Sequence, residues 1–148
     1  MQVEKECMSP YADRMATLGE VGLAVKRLQA RHHREASQRL APLGVSLPQW
    51  DMLRHLHEHP AASLHDLAVL TFQTDQSAGA LAARMIQRGL LDRVLGPGRA
   101  IRHRMTAEGE RMREEGAALT EEVLAGTIGR LPEGDRATLL ALLQAAQG

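Results

Sequence analysis

The fold of this chain is decided by residues 63–105, which read SLHDLAVLTFQTDQSAGALAARMIQRGLLDRVLGPGRAIRHRM. A short helix is predicted to begin at Ser63, and residues 70–73 form the turn after it. Thr74 or Asp75 then caps a second helix, which ends at Gly89. The apolar positions of this second helix recur with the i, i+3, i+4, i+7 spacing of a buried stripe; they are Ala78, Leu81, Ala82 and Met85. The pattern predicts a helix-turn-helix.

Two short strands are predicted directly after it. Residues 91–95 and 100–105 flank Gly96-Pro97-Gly98-Arg99, a glycine-rich turn that suits a hairpin. A hairpin in this position is the wing of a winged helix-turn-helix.

Amphipathic helices are predicted on both sides of this segment. One runs from Ala12 to Leu40, and the next begins at a capping box of Ser46 and Gln49 and ends near Pro60. Its inward face is predicted to carry Trp50, Leu53, Leu56 and His57. Thr106 caps a further helix to about Gly129, with Met112, Leu119, Val123 and Ile128 inward, and Pro132 starts the last one, whose apolar positions are Leu139, Leu140, Leu142 and Leu143.

We therefore expect a mainly α fold, namely a winged helix-turn-helix with a small β-hairpin wing and a helical dimerisation region from both termini. The predicted organisation is a flexible tail over 1–11, a helical dimerisation region over 12–44 and 107–148, and a DNA-binding domain over 45–106. The terminal helices carry apolar faces that need a partner, and a second copy of the chain supplies one.

Charge supports DNA binding locally rather than globally. The chain has 148 residues with 18 basic and 18 acidic side chains, so its formal net charge is zero. Residues 71–105 nevertheless hold six arginines against two aspartates, a formal charge of +4. A local cationic face is what contact with DNA phosphates requires.

The recognition face is predicted opposite the buried stripe of the second helix, because the second helix of such a motif enters the major groove. Glutamine can form a bidentate pair with adenine, and small side chains let the backbone approach the bases. The candidate contacts are Thr74, Gln76, Ser77, Ala80 and Arg84 on this helix and Arg99, Arg102 and Arg104 in the wing. Arg84 has a second interpretation, an ion pair with Asp92. Alternation along the strand puts Arg102 and Arg104 on one face and His103 on the other.

Four stretches resemble the multiple-antibiotic-resistance regulator (MarR) family. They are Leu47-Pro48-Gln49-Trp50-Asp51-Met52-Leu53, Thr71-Phe72-Gln73-Thr74-Asp75-Gln76-Ser77, Arg88-Gly89-Leu90-Leu91-Asp92-Arg93 and Met105-Thr106-Ala107-Glu108-Gly109. The resemblance covers about residues 14–145. It implies a triangular homodimer that binds a short palindrome in promoter DNA, and often release by a small anionic aromatic ligand. The wing departs from the family pattern, since its tip is about two residues shorter and lacks an Asp, while Arg99 matches the last Arg of that pattern.

The candidate ligand contacts are Trp50, His33 and Arg34, with core packing as the other interpretation of Trp50; Phe72 is predicted to pack in the core. We expect no cofactor and no metal site, because alternation spreads the imidazoles of His55, His57 and His59 over about 400° of a helix. The single cysteine, Cys7, is predicted to be an inert exposed thiol rather than a redox sensor, because flanking Glu4 and Glu6 raise its pKa.

No catalytic motif is found, so we expect no enzymatic activity. The charged N-terminus and the lack of a long apolar run predict a cytoplasmic protein that does not enter the membrane. Two other functions remain open at this point, an architectural DNA-binding protein without sequence specificity and a winged-helix module for protein interactions.

Overall fold

The computed structural model describes residues 15–96 and 98–148. The chain divides into two compact units, one ending at Arg31 and the other running from His32 to Gly148. The predictions for the tail over 1–11 and for Cys7 lie outside the described residues, and the predicted domain boundaries stay predictions. The elements are α1 (Leu18–Leu40), α2 (Leu47–Glu58), α3 (Leu64–Leu70), α4 (Asp75–Gln87), β1 (Leu91–Val94), β2 (Arg102–Met105), α5 (Ala107–Ala125) and α6 (Glu133–Gln147), with short 3-10 helices at Ala41–Leu43 and Ile128–Arg130.

The first helix begins later than its apolar spacing predicts. Residues 15–17 are not helical, and α1 starts at Leu18. Thr17 and Glu20 form a capping box, because the Glu20 amide donates to the Thr17 hydroxyl (3.2 Å) and the Thr17 amide donates to the Glu20 carboxylate (2.9 Å). Gly44, at a φ of 72°, closes the 3-10 turn that follows α1.

Side-chain caps start the three helices that lead to the wing. The predicted Ser46–Gln49 capping box is present at α2, and Ser63 with Asp66 forms a second one at α3. Thr74 caps α4, since its hydroxyl accepts from the Ser77 amide at 3.1 Å. The four apolar positions predicted for α4 are all buried.

The turn between α3 and α4 contradicts the prediction for Phe72. This side chain is 97% exposed, and its backbone has a φ of 55°, in the left-handed region. Hydrogen bonds from the Phe72 amide to the Val69 carbonyl (3.2 Å) and from the Gln73 amide to the Ala68 carbonyl (2.8 Å) hold the turn in place. Phe72 therefore points away from the core because the turn fixes its backbone.

The wing is a two-stranded antiparallel sheet in which Leu91 pairs with Met105 and Val94 with Arg102. Both strands are shorter than predicted, so the connection between them extends over residues 95–101. The wing is joined to α3 by a hydrogen bond from the Leu64 amide to the Ile101 carbonyl (2.7 Å) and by a bridge between Ser63 and Arg102.

The core lies where α2, α3, α4, α5 and β1 meet the end of α1. Trp50 is 8% exposed, and it lies so close to Gly116 of α5 that a side chain there would collide with its indole. His57 was predicted on the buried face of α2, but its side chain is half exposed. It lies at the edge of the helix face that packs against the core, next to the buried Leu56. Largely buried side chains of this core include Leu40, Met52, Leu53, Leu67, Met85, Leu90 and Leu91.

The C-terminal helices differ from the prediction mainly at their junction. Helix α5 ends at Ala125, and the Thr127 hydroxyl donates to the Val123 carbonyl (3.1 Å), which closes its last turn before Gly129. Met112 and Val123 are buried, whereas Leu119 and Ile128 are half-buried. Within α6, Leu140 and Leu142 are 57% and 63% exposed. No described helix is long and apolar enough to cross a lipid bilayer.

Candidate nucleic-acid interface

Helix α4 presents a polar face to solvent opposite its buried stripe. Gln76, Ser77, Ala80 and Arg84 are all exposed on it. Thr74 is exposed at its N-terminal cap, where its hydroxyl oxygen already accepts one backbone hydrogen bond. These residues are the helix part of the predicted site, and the structure brings them together at one surface.

A chain of side-chain hydrogen bonds that the sequence analysis missed orients this face. The Ser77 hydroxyl donates to the Gln73 side chain (3.2 Å), whose amide nitrogen donates to the Thr71 hydroxyl (3.0 Å). The Thr71 hydroxyl in turn donates to the Leu67 carbonyl at 2.6 Å. Polar residues on both sides of the turn were the available signal, because such side chains often bond locally across turns.

An ion pair lies at the N-terminal end of α4. The His65 imidazole is 2.8 Å from the Asp75 carboxylate, and both side chains are about two-thirds exposed. A carboxylate at this end interacts favourably with the helix dipole but would repel a DNA phosphate. His65, which sequence reasoning did not consider, holds this carboxylate on the side of α3.

The wing arginines differ in how firmly they are held. Arg102 is exposed and donates from its Nε to the Ala61 carbonyl (3.1 Å), a bond in which its terminal nitrogens take no part. Arg104 pairs with Asp92 at 3.7 Å across the two strands. Asp92 therefore pairs with Arg104 and not with Arg84, which contradicts one interpretation of Arg84. Arg99 lies exposed in the wing connection.

His103 lies on the opposite side of the wing, as the alternation predicts. It is 5% exposed between the exposed Arg102 and Arg104. Burial, and secondly the charge of Arg93, lower the pKa of His103 below its usual value. The neutral imidazole therefore serves the core side of the wing, and the two arginines keep their outward face.

The three candidate ligand contacts differ in burial. The Trp50 indole N–H donates to the Arg113 carbonyl at 3.1 Å, which completes its packing as a core residue. His33 and Arg34 are exposed on α1. Ligand contact by these residues stays a prediction, and neither of the two clefts described next includes any of them.

The larger cleft, of about 650 Å³, lies between the end of α2, the base of the wing and the start of α5. Its apolar lining residues include Leu56, Val94 and Met105, and Arg104 is also among the residues that line it. His57 and Glu110 lie 3.6 Å apart on its wall. The smaller cleft, of about 440 Å³, is formed by the α2–α3 connection and α3 and includes His59 and His65.

The expectation that the histidines of α2 cannot share a metal ion needs correction. His55 and His59 are four residues apart, so they lie on one face at the end of the helix, and Glu58 lies between them. Potential donor atoms of these three residues are all within 4.8 Å of one another. The alternation argument considered all three histidines at once and missed the pair.

Comparisons with known proteins agree with this architecture. A sequence model described as the MarR family matches residues 43–100. No curated protein sequence matches the chain. The MarR family protein Rv2887 of Mycobacterium tuberculosis, solved with salicylic acid, is 25% identical, with 89% of this chain and 97% of that chain covered and a TM-score of 0.69.

Two further solved structures share the fold at lower identity. A MarR-family transcriptional regulator from Rhodococcus sp. RHA1 has a TM-score of 0.79 at 19% identity, with 90% of this chain and 96% of that chain covered. BpsR of Bordetella bronchiseptica, whose DNA binding is regulated by 6-hydroxynicotinic acid, has a TM-score of 0.77 at 24% identity, with 87% and 99% covered. The fold predicted from the sequence is therefore confirmed.

Proposed function

We propose that this chain is a MarR-family regulator, as the family model that matches residues 43–100 supports. In this proposal it is a sequence-specific transcriptional repressor that binds a palindromic promoter site as a homodimer and responds to a small ligand. The observation that carries the proposal is the exposed polar face of α4 beside an arginine-bearing wing, in a chain whose net charge is zero. The proposal includes no catalytic activity.

Base recognition is assigned to the first turns of α4. Gln76 is exposed there, and its amide can pair with N6 and N7 of adenine in the major groove. Ala80 lies one turn further on, where a methyl group permits close approach and contact with a thymine methyl. The hydroxyl groups of Ser77 and Thr74 each make one hydrogen bond within the protein and keep further hydrogen-bonding capacity for a phosphate or a base edge.

Phosphate contacts are assigned to the arginines around this helix. Within the part of the chain that the structure describes, neither Arg84 nor Arg99 has an ion-pair partner. Arg99 can reach the backbone or a narrow minor groove from the wing connection. Arg102 and Arg104 offer terminal nitrogens while they keep their own contacts.

The operator test uses α4 itself as its control. A preferred site is first selected from random double-stranded DNA, and binding of the purified chain is then measured by fluorescence anisotropy. Gln76→Ala should lose about 1–3 kcal/mol at one base and relax specificity there. Gln87→Ala should bind like the wild type, because Gln87 lies about 16 Å further along the helix axis. Equal loss in both variants, or in neither, would contradict the assigned reading face.

The wing is tested by salt dependence. Arg99→Ala should weaken binding to specific and non-specific DNA alike and reduce the slope of log K against log salt by about one per subunit. An unchanged slope would remove Arg99 from the interface. If selection yields no preferred sequence, the protein is an architectural DNA-binding protein, and if it binds no DNA, the winged helix serves protein interactions.

We assign the ligand, a flat aromatic acid, to the cleft of about 650 Å³ at the base of the wing. Rv2887 with salicylic acid and BpsR with its hydroxynicotinic acid support this ligand class. Leu56, Val94 and Met105 would bury the ring, and Arg104 would pair with the carboxylate. A ligand there would lie between the wing and α5 and would change how the two recognition helices fit half-sites about 34 Å apart.

Direct binding of salicylate to the free protein tests this assignment by calorimetry. Arg104→Ala should weaken binding of salicylate. Arg102→Ala is the matched control: Arg102 is on the same strand face, but it does not line the cleft, so its loss should leave binding unchanged. Salicylate should also release the operator. If peroxide alone releases it and Cys7→Ser abolishes that response, the regulator is redox-sensing and the ligand assignment is wrong.

A further inference from the structure

We infer that the C-terminal end of α2 is a binding site for a divalent transition-metal ion such as Zn²⁺, held by His55, Glu58 and His59. The potential donor atoms of these residues all lie within 4.8 Å of one another. Two imidazoles and one carboxylate form a donor set that zinc accepts, with a fourth position left for water. The site is separate from the recognition face and from the cleft at the base of the wing.

The strongest single observation is the state of the His55 imidazole. Its Nδ1 is buried and has no hydrogen-bond partner among the described residues, and its side chain is only 13% exposed. A buried polar atom without a partner costs free energy, so such an atom calls for an explanation. This Nδ1 lies 3.9 Å from Oε2 of Glu58, and an ion between the two would satisfy both.

The two carboxylate oxygens of Glu58 face different neighbours, and one of them is available to the ion. Its Oε1 accepts from Arg54 at 3.5 Å, whereas its Oε2 is the oxygen that faces His55. Glu58 can therefore bind an ion through Oε2 and keep Arg54 through Oε1. This arrangement limits the repulsion between Arg54 and a bound dication.

Asp51 lies near the ring nitrogen of His55 that would not bind the ion. When Nδ1 binds an ion, the proton of His55 moves to Nε2, which lies 3.7 Å from the Asp51 carboxylate. A carboxylate that accepts the second N–H of a ligating histidine orients the ring and makes it a better ligand. The Arg54 guanidinium, which donates to the same Nε2 at 2.9 Å, would have to release it, because two N–H donors cannot face each other there, and it would keep its 2.6 Å bond to Asp51.

Small side-chain rotations complete the geometry. Donor atoms around a tetrahedral zinc ion with bonds of about 2.0–2.1 Å are about 3.4 Å apart, so the three donors must approach one another further. Glu58 and His59 are exposed and can change rotamer. His59 is the residue that follows the last turn of α2, so the ion would tie the α2–α3 connection back to the helix.

Calorimetric titration of Zn²⁺ into the untagged full chain tests the site. We expect saturable binding, a rise in the unfolding temperature with Zn²⁺ concentration, and no response to Mg²⁺ or Ca²⁺, which prefer oxygen ligands. His59→Ala and Glu58→Gln should each weaken binding by more than about tenfold, in the range that even supporting residues reach. His57→Ala is the matched control and should leave the affinity for Zn²⁺ unchanged, because His57 does not belong to the cluster.

Circular dichroism verifies that each variant is folded. Glu58 and His59 are exposed, so we expect their substitution to leave the fold intact. Because zinc can also bind elsewhere on the chain, the decisive quantity is the difference between His59→Ala and His57→Ala. If these two variants bind Zn²⁺ equally, or if the wild type shows no saturable binding, the inference is wrong. Asp51→Asn should weaken binding without abolishing it, which separates a positioning residue from a ligand.

Discussion

Phe72 occupies a backbone conformation that a glycine would adopt more easily. At a φ of 55°, an ordinary L-residue brings its Cβ close to the following carbonyl, which costs roughly 1–2 kcal/mol. The side chain returns nothing to the core of the chain, because it is 97% exposed. At the scale of single residues, this is the position where local conformation and residue type disagree most clearly.

We predict that Phe72→Gly raises the free energy of unfolding by about 0.5–1 kcal/mol. The relief of strain exceeds the added chain entropy of glycine, about 0.4–1 kcal/mol in the unfolded state. Chemical denaturation at fixed protein concentration measures the change, with Phe72→Ala as the control that keeps the Cβ and should gain little. A loss of stability in Phe72→Gly would mean that the phenyl ring packs against a partner.

At the scale of elements, the start of α5 packs closely against Gly89 and Leu90, the two residues that precede β1. The Thr106 amide donates to the Leu90 carbonyl (3.1 Å), and its hydroxyl donates to the Gly89 carbonyl (2.5 Å). Gly109, whose amide donates to the same hydroxyl at 3.0 Å, lies directly against Leu90. A Cβ at this position would overlap the Leu90 carbonyl, which is backbone and cannot rotate away.

We predict that Gly109→Ala destabilises the fold by about 1–3 kcal/mol, the usual cost of overpacking, although alanine favours a helix over glycine by up to about 1 kcal/mol. Gly134→Ala in α6 is the control, because nothing lies within 4 Å of a Cβ there. It should be neutral or slightly stabilising. Thermal and denaturant unfolding of both variants provide the comparison, and equal stability of the two would refute the close approach of α5.

At the scale of the whole molecule, both terminal helices leave large apolar side chains in solvent. Leu18 is 94% exposed and Val21 51% on α1, while Leu140 and Leu142 are more than half exposed on α6. Apolar surface of this kind on helices marks a site of association. A second copy of the chain is the partner that the proposed palindromic operator requires.

We predict a dimer of two 16.2 kDa chains at micromolar concentration, measured by light scattering. Leu18→Glu should raise the dissociation constant of the dimer, because the charge would be buried in the interface. Val69→Glu is the control, since Val69 is an exposed apolar residue of α3 outside the terminal helices. A folded wild-type monomer, or equal dissociation of both variants, would contradict the dimer.

The sequence by itself determined the order and nature of the elements from α2 to α5. Apolar residues at helical spacing, capping residues and the glycine-rich turn are local signals, and local geometry decides them. The Ser46–Gln49 capping box and the buried stripe of α4 were therefore predicted, and so was the shared face of Arg102 and Arg104. The cap of α4 was predicted as Thr74 or Asp75, and the structure has Thr74. The start of α1 was missed although its capping box at Thr17 is also local, because apolar spacing was given more weight than the cap.

Only the tertiary structure decided where side chains with two possible roles are placed. The packing of Trp50 in the core could not be deduced from its own segment, because the glycine beside it, Gly116, lies 66 residues away on another helix. Asp92 pairs with Arg104 rather than Arg84 because strand register, which depends on pairing across the wing, sets them opposite each other. These outcomes depend on contacts between distant segments, which apolar spacing does not encode.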